Sequence, residues 1–359
     1  MAELPDILKL GVSRGASDVH IAPGRPPMAR IKGEMVALDT TPISPEESRR
    51  LIYSMLYDEQ KAKFEAAQEL DTSLMIAGVS RFRLNVHEQR RGIGAVLRVI
   101  PAHIPSPAEI GLMPSVVKLA EMPRGLVLVT GPTGSGKSTT LASIVESINI
   151  GQRKTILTIE DPIEFVYEDK QSLIIQREVG SQTKSFSEGL RHALRQNPDV
   201  ILIGEMRDLE TIQLAITAAE TGHLCFGTLH TQDAPTSVDR IIDVFPPNQQ
   251  EQVRVQVSTV LKAIVSQILI PRKDGAGRIA SREVMVGTPA VGNLIREGKT
   301  HMLYGAIESG AKFGMISMDQ HLAFLVKSGM ATLEDCLAKA RDAEGFKTMV
   351  NMGAPARPQ

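Results

Sequence analysis

Tryptophan is absent from this 359-residue chain, and aromatic residues make up only 4% of it. So few rings argue against a base-stacking platform for single-stranded nucleic acid. Cysteine is almost as scarce: Cys225 and Cys336 are the only two, too few for a four-cysteine zinc site or a disulfide framework. An excess of one charge is also missing. Lys plus Arg number 40 and Asp plus Glu 41, a net charge of −1, which is not the footprint of a strong nucleic-acid binder. No apolar run reaches the about 18 residues that a membrane span requires. The opening Met1-Ala2-Glu3-Leu4-Pro5 has neither the basic segment nor the apolar stretch of a signal peptide. These absences leave a cytoplasmic protein as the expectation.

What is present is the composition of a soluble globular chain, 42% hydrophobic and 23% charged, at a length that suits two domains better than one. Residues 1–100 read as α+β. Asp18–Ile21, Met28–Lys32 and Met35–Leu38 suit short strands, and Ser44-Pro45-Glu46-Glu47 carries the signature of a capped helix start. A hairpin is expected to turn at Gly78 into Ser80–Val86. In that strand Phe82, Leu84 and Val86 share one face, and Arg81, Arg83 and Asn85 the other. Gly94–Ile100 follows as a further strand. Five prolines (101, 105, 107, 114 and 123) punctuate residues 101–124, which read as an interdomain linker around one short helix. From residue 125 the apolar runs stop alternating: Leu126–Val129, Thr155–Ile159, Val200–Ile203 and Leu224–Leu229 are separated by helical segments. Strands apolar on both faces belong to a parallel sheet covered by helices, so 125–289 is expected to form an α/β core. Residues 290–359 read as helical, ending in a frayed tail at Gly353–Gln359.

The sharpest chemical signal is Gly131-Pro132-Thr133-Gly134-Ser135-Gly136-Lys137-Ser138, with Thr139 continuing into a helix. It follows a buried strand, as the G-x-x-x-x-G-K-[ST] phosphate loop requires. Glycines let backbone amides converge on phosphate oxygens, and the helix N-terminus adds partial positive charge. Lys137 is then expected to neutralise the β- and γ-phosphates of ATP, and Ser138 to ligate Mg2+.

Acids end two of the core strands. Asp199–Glu205 has the layout of a Walker B strand, with Glu205 where many such enzymes place aspartate. Glu205 can hold Mg2+ directly or through water, although an acid there also suits the start of a helix at about 208–221. Glu160, Asp161 and Glu164 cluster after the strand at 155–159. One of them can orient or deprotonate a water, and the residues alone do not say which. His223 and His230 bracket the strand Leu224–Leu229; a histidine there can contact a γ-phosphate or serve the strand end structurally.

Taken together, four ordered motifs resemble those of the secretion ATPase superfamily, the hexameric motors of type IV pili and type II secretion. They are the Walker A loop 131–138, an aspartate box Thr158–Phe165, the Walker B strand running into Gly204-Glu205-Met206-Arg207-Asp208, and a histidine box from Thr221-Gly222-His223 to Thr228-Leu229-His230-Thr231. The resemblance is strongest to the branch that retracts pili. There is one small N-terminal domain, the four-cysteine zinc element of extension motors is missing, and Ala290–Glu297 is similar to a retraction motif, with Val291 and Gly292 departing from it.

The resemblance implies a RecA-like P-loop NTPase domain with a mostly parallel sheet and a smaller PAS-like α+β domain before it. It makes Glu164 the catalytic glutamate, Glu205 the Walker B acid near Mg2+, and His230 a neighbour of the γ-phosphate. Arg83 and Arg98 reach the nucleotide from the N-terminal domain when the domains close. It also implies a homo-hexamer at the pilus base, cytoplasmic and peripheral to the inner membrane. The expected partners are an inner-membrane platform protein and an accessory retraction ATPase paralogue, with no nucleic acid and no zinc. A pilus-extension or type II secretion ATPase and a RecA-like nucleic-acid translocase are the competing readings.

Overall fold

A computed structural model describes residues 3–100 and 103–352. Pro101, at the start of the expected linker, and the expected frayed tail 353–359 lie outside the described residues. The chain divides into two compact units. One runs to His103 and includes Glu164–Val166; the other holds Ile104–Ile163 and the rest from Tyr167.

In the first unit, strands β1 (Ala16–Ile21), β2 (Met28–Ile31), β3 (Glu34–Ala37), β4 (Glu69–Ile76), β5 (Ser80–Gln89) and β6 (Gly92–Ile100) form one sheet. Their order is β3-β2-β1-β6-β5-β4, with every neighbouring pair antiparallel. The alternation expected of β5 holds: Phe82, Leu84 and Val86 are buried. They share a core with Leu4 and Leu8 of α1 (Leu4–Ser13), Leu51 and Ile52 of α2 (Pro45–Tyr53) and Phe64 of α3 (Asp58–Ala67). Ser44 caps α2 by accepting from Glu47 N at 3.1 Å. One level of the opposite face is polar across five strands. Arg30 pairs with Asp18, Asp18 with Arg98, Arg98 with Arg83, and Arg83 with Ser73.

The second unit is built on strands β7 (Gly125–Thr130), β8 (Thr155–Glu160), β9 (Leu173–Glu178), β10 (Val200–Ile203), β11 (Leu224–Leu229), β12 (Leu261–Pro271) and β13 (Arg278–Val286). They run in the order β13-β12-β7-β11-β10-β8-β9. All neighbours are parallel except β12 and β13, which form an antiparallel hairpin. The four apolar runs read from the sequence are four adjacent strands of this sheet, β7, β11, β10 and β8. Around them lie the short α4 (Pro114–Val117), α5 (Lys137–Gly151), α6 (Phe186–Ala193), α7 (Leu209–Glu220), α8 (Ala234–Asp243) and α9 (Pro247–Val260). After β13 come the helices α10 (Pro289–Arg296), α11 (Leu303–Glu308), α12 (Met318–Lys327), α13 (Leu333–Leu337) and α14 (Ala343–Asn351). Gly292 of the retraction-like motif lies where α10 packs on α9. A Cβ there would sit 3.0 Å from the Ser258 carbonyl oxygen, so glycine permits this approach.

Residues 104–124 pack onto this second unit. Met113, Val116 and Leu119 are buried, and Gln152 Nε2 donates to Ala120 O at 2.8 Å. Arg282 of β13, only 2% exposed, donates from its guanidinium to Gly111 O and Ile110 O at 3.0 and 3.1 Å. Burial pushes that guanidinium down to about 10. The Arg282 backbone N–H donates to His321 Nδ1 at 2.8 Å. Burial, with Arg282 adding, pushes His321 down to about 3, so the ring stays neutral and can accept.

Beside it, Glu283 accepts from Ala234 N at 2.9 Å. Burial pushes its carboxyl up to about 7; the Ala234 and Met318 amides and Arg341 oppose this, and Asp233 reinforces it. A raised carboxyl contributes stability that is complete below its unfolded pKa and is lost as pH rises through the folded one. Wild type is therefore expected to lose on the order of 3 kcal/mol from this group between about pH 4.5 and 7. Glu283→Gln, which keeps an acceptor oxygen, should make the melting temperature at pH 5 minus that at pH 8 more negative than in wild type, as read by calorimetry. His321 works in the opposite sense as pH falls below about 6.5, equally in both proteins.

Candidate nucleotide site

Strand β7 is fully buried, and the chain leaves it at Gly131 with no room for a side chain. A Cβ on Gly131 would lie 2.2 Å from Gln267 O, and its φ of +139° disfavours any L residue. Gly136, φ +87°, then turns the chain into α5 as its N-cap. This strand–loop–helix context is the one the motif requires. Lys137 is 9% exposed, and its ammonium curls over the loop, donating to Gly131 O at 2.8 Å and Pro132 O at 3.1 Å. Burial pushes Lys137 below the usual lysine range, and the charge of Glu205 pulls it back up. Pro132, Thr133, Gly134 and Ser138 face solvent, whereas Ser135 and Thr140 are buried and Thr139 half-buried. The Ser135 hydroxyl is buried without a hydrogen-bond partner among the described residues. Buried polar atoms are rarely left unpaired. An orphaned donor inside an amide-lined loop beside an ammonium fits an anionic phosphate.

Glu205 follows β10 after one residue, Gly204. The turn is fixed by Gly204 N donating to Ile159 O at 2.7 Å and Met206 N to Thr228 O at 3.1 Å. The Glu205 side chain is 17% exposed; it pairs with the guanidinium of Arg207 and lies 3.0 Å from His230 Nε2. Met206, Leu229, Thr231 and Arg240 complete a cavity of about 370 Å³ around this trio. The loop after β7, Glu205 after β10 and His230 after β11 all sit at the carboxyl ends of parallel strands, the ligand-binding edge of an open α/β sheet.

The structure separates the two histidines. His223, at the start of β11, turns its Nδ1 to Ala218 O at 2.9 Å and so serves the end of α7. His230, at the other end, faces Glu205.

The three acids after β8 also part. Glu160 is buried, accepting from Thr158 Oγ1 at 2.6 Å and Gln176 Nε2 at 3.3 Å, while Asp161 and Glu164 are exposed. Glu164 groups with the first unit, as do Arg83 and Arg98, so none of these three shares a unit with the phosphate loop. Arg98 Nε donates to Asp18 Oδ1 at 2.9 Å. Burial opposes ionisation of Asp18, but the bonds from Arg98 and Ser17 prevail and hold it below the usual carboxylate range. Sequence reading did not find that pairing. It also missed Gln267, which touches the phosphate loop from β12.

Among the described residues, no group of three His, Cys, Asp or Glu side chains could hold a metal, and no helix is long and apolar enough to cross a membrane. An ion near the loop would have one or two protein oxygens, from Glu205 and Ser138, completed by substrate and water. That donor set is the kind Mg2+ favours.

The model of the Type II/IV secretion system protein family matches residues 4–309. The chain is 48% identical over 344 residues to the type IV pilus retraction ATPase PilT of Pseudomonas aeruginosa, covering 96% of this chain and all of that protein. It is 40% identical to the type IV pilus ATPase PilU of the same organism, covering 98% and 92%. A crystal structure of the pilus retraction motor PilT with bound ADP superposes with a TM-score of 0.91 at 45% identity, covering 97% of this chain and 100% of that one. On sequence, fold and ordered motifs alike, the chain belongs to the Type II/IV secretion system protein family.

Proposed function

We infer that the protein is an ATP-hydrolysing motor that powers retraction of type IV pili, acting as a homo-hexamer. The observation that carries the chemistry is the amide-lined loop with Lys137, set beside the Glu205–His230 pair at one sheet edge. The direction of force is argued from the relatives named above and from Ala290–Glu297. In this reading the amides of Gly131–Ser138 and the Lys137 ammonium hold the phosphates, and Thr139 extends the first helical turn behind them. Ser138 and Glu205 would hold Mg2+, which when bound would neutralise charge on the transferring phosphoryl group. Glu164 orients and deprotonates the attacking water. His230, held by Glu205, donates toward the γ-phosphate, and Arg83 and Arg98 add positive charge.

The work is delivered to a platform protein of the inner membrane, from a cytoplasmic position peripheral to it, alongside an accessory ATPase paralogue. Residues 1–100 act as a PAS-like module, 101–124 as the connecting segment, 125–289 as the RecA-like engine and 290–359 as a helical region.

A deletion strain tests this. Cells lacking the protein should keep their pili and lose twitching motility. Bald cells would point instead to an extension motor, and ATPase activity stimulated by DNA with a steep salt dependence to a nucleic-acid translocase.

A further inference from the structure

We propose that Gln267 of β12 is a positioning residue for the phosphate loop, aligning the loop backbone without touching the substrate. The proposal rests on the reading of residues 131–138 as the phosphate cradle.

Gln267 is 1% exposed, and both ends of its amide are committed to the loop and the first turn of α5. Nε2 donates to Ser135 O at 2.7 Å, and Oε1 accepts from Thr140 Oγ1 at 2.9 Å. The orientation of the amide is fixed by chemistry: a backbone carbonyl only accepts, so the nitrogen must face Ser135.

Two consequences follow. In a planar trans peptide the C=O and the following N–H point in opposite directions. Holding Ser135 O toward β12 therefore aims the Gly136 N–H away from β12. Meanwhile Oε1 ties the Thr140 hydroxyl, one turn into α5, to the same amide. The loop and the helix N-terminus are thus held in one register, so the loop amides and the helix dipole converge on one point.

Strand β12 also sets the distance. Ser266 Oγ accepts from Thr130 Oγ1 at 2.9 Å, and Gln267 O leaves no space for a Cβ on Gly131. A Cβ on Gly136 would lie 3.2 Å from Gln267 Nε2, so the amide fits a glycine at that turn.

The test is calorimetric titration of the full-length protein with Mg-ADP, together with KM and kcat for ATP. It compares wild type, Gln267→Leu, Thr140→Val and the double variant. Gln267→Leu is expected to bind ADP about tenfold more weakly, as fits loss of two buried hydrogen bonds that hold the loop. KM for ATP should rise in parallel and kcat should fall less. Thr140→Val should show a smaller loss in the same direction, and the double variant should be no worse than Gln267→Leu, because both remove one linkage. A lowered melting temperature with wild-type ADP affinity and KM in Gln267→Leu would overturn the proposal, as would additive losses in the double variant. If Gln267→Leu fails to fold, Thr140→Val decides: an unchanged KM overturns the proposal and a raised one supports it. Absence of ADP binding by wild type would be a different failure, removing the cradle itself and this proposal with it.

Discussion

Lys137→Ala should leave a folded protein whose ATP turnover has dropped by about 100-fold or more, the loss that follows removal of one preorganised charge from a phosphoryl-transfer site. The fold should survive because, among the described residues, the side chain hydrogen-bonds only to two loop carbonyls, Gly131 O and Pro132 O. Each carbonyl left unpaired costs about 1 to 3 kcal/mol if water cannot reach it. Pro132 is exposed, so only the Gly131 carbonyl stands to lose a full bond. Against that loss stands relief of the desolvation that already pushes Lys137 below the ordinary lysine range. A melting temperature within a few degrees of wild type is therefore the expected companion of lost phosphate release. Lys137→Arg should not rescue turnover, since a planar fork cannot occupy the place of a compact ammonium held between two carbonyls. Phosphate release near the wild-type rate in Lys137→Ala would remove this residue from the site.

Why Lys137 could be read from sequence and Gln267 could not is a matter of distance along the chain. The phosphate loop is one continuous segment whose glycines and lysine each answer a local backbone or charge requirement, so eight residues carry the whole signal. The strands β7, β8, β10 and β11 were legible because burial on both faces leaves no polar alternation. Gln267 lies 127 positions from Thr140 and sits in a buried apolar strand, where an amide looks like any satisfied core polar group.

The same holds for Asp18 and Arg98, 80 positions apart. They meet only because β1 pairs with β6, an order no local pattern reveals. His223 and His230 looked equivalent as strand-end histidines until the ends of β11 proved chemically different. One meets the carbonyl terminus of α7, the other a carboxylate. Gly292 read in the sequence as a departure from a motif; in the fold it is the contact point of two helices.

Glu205→Gln is expected to separate nucleotide binding from turnover. The substitution keeps size and one acceptor oxygen but removes the charge that faces His230 and the guanidinium of Arg207. Turnover should fall about 100-fold, and more Mg2+ should be needed to reach half of the remaining rate, while ADP binding without metal stays near wild type. A second effect follows from Lys137. Burial lowers its pKa and the Glu205 charge counteracts this, so without that charge the ammonium loses its proton at a lower pH. The alkaline limb of the rate profile should move to lower pH in Glu205→Gln. A purely structural ion pair makes the opposite forecast. Arg207 is 72% exposed, and an exposed pair contributes under about 1 kcal/mol. If the pair with Arg207 were all that Glu205 provides, Arg207→Ala would reproduce the whole loss with an unaltered Mg2+ requirement. Steady-state rates across Mg2+ concentration and pH for the two variants decide between these outcomes.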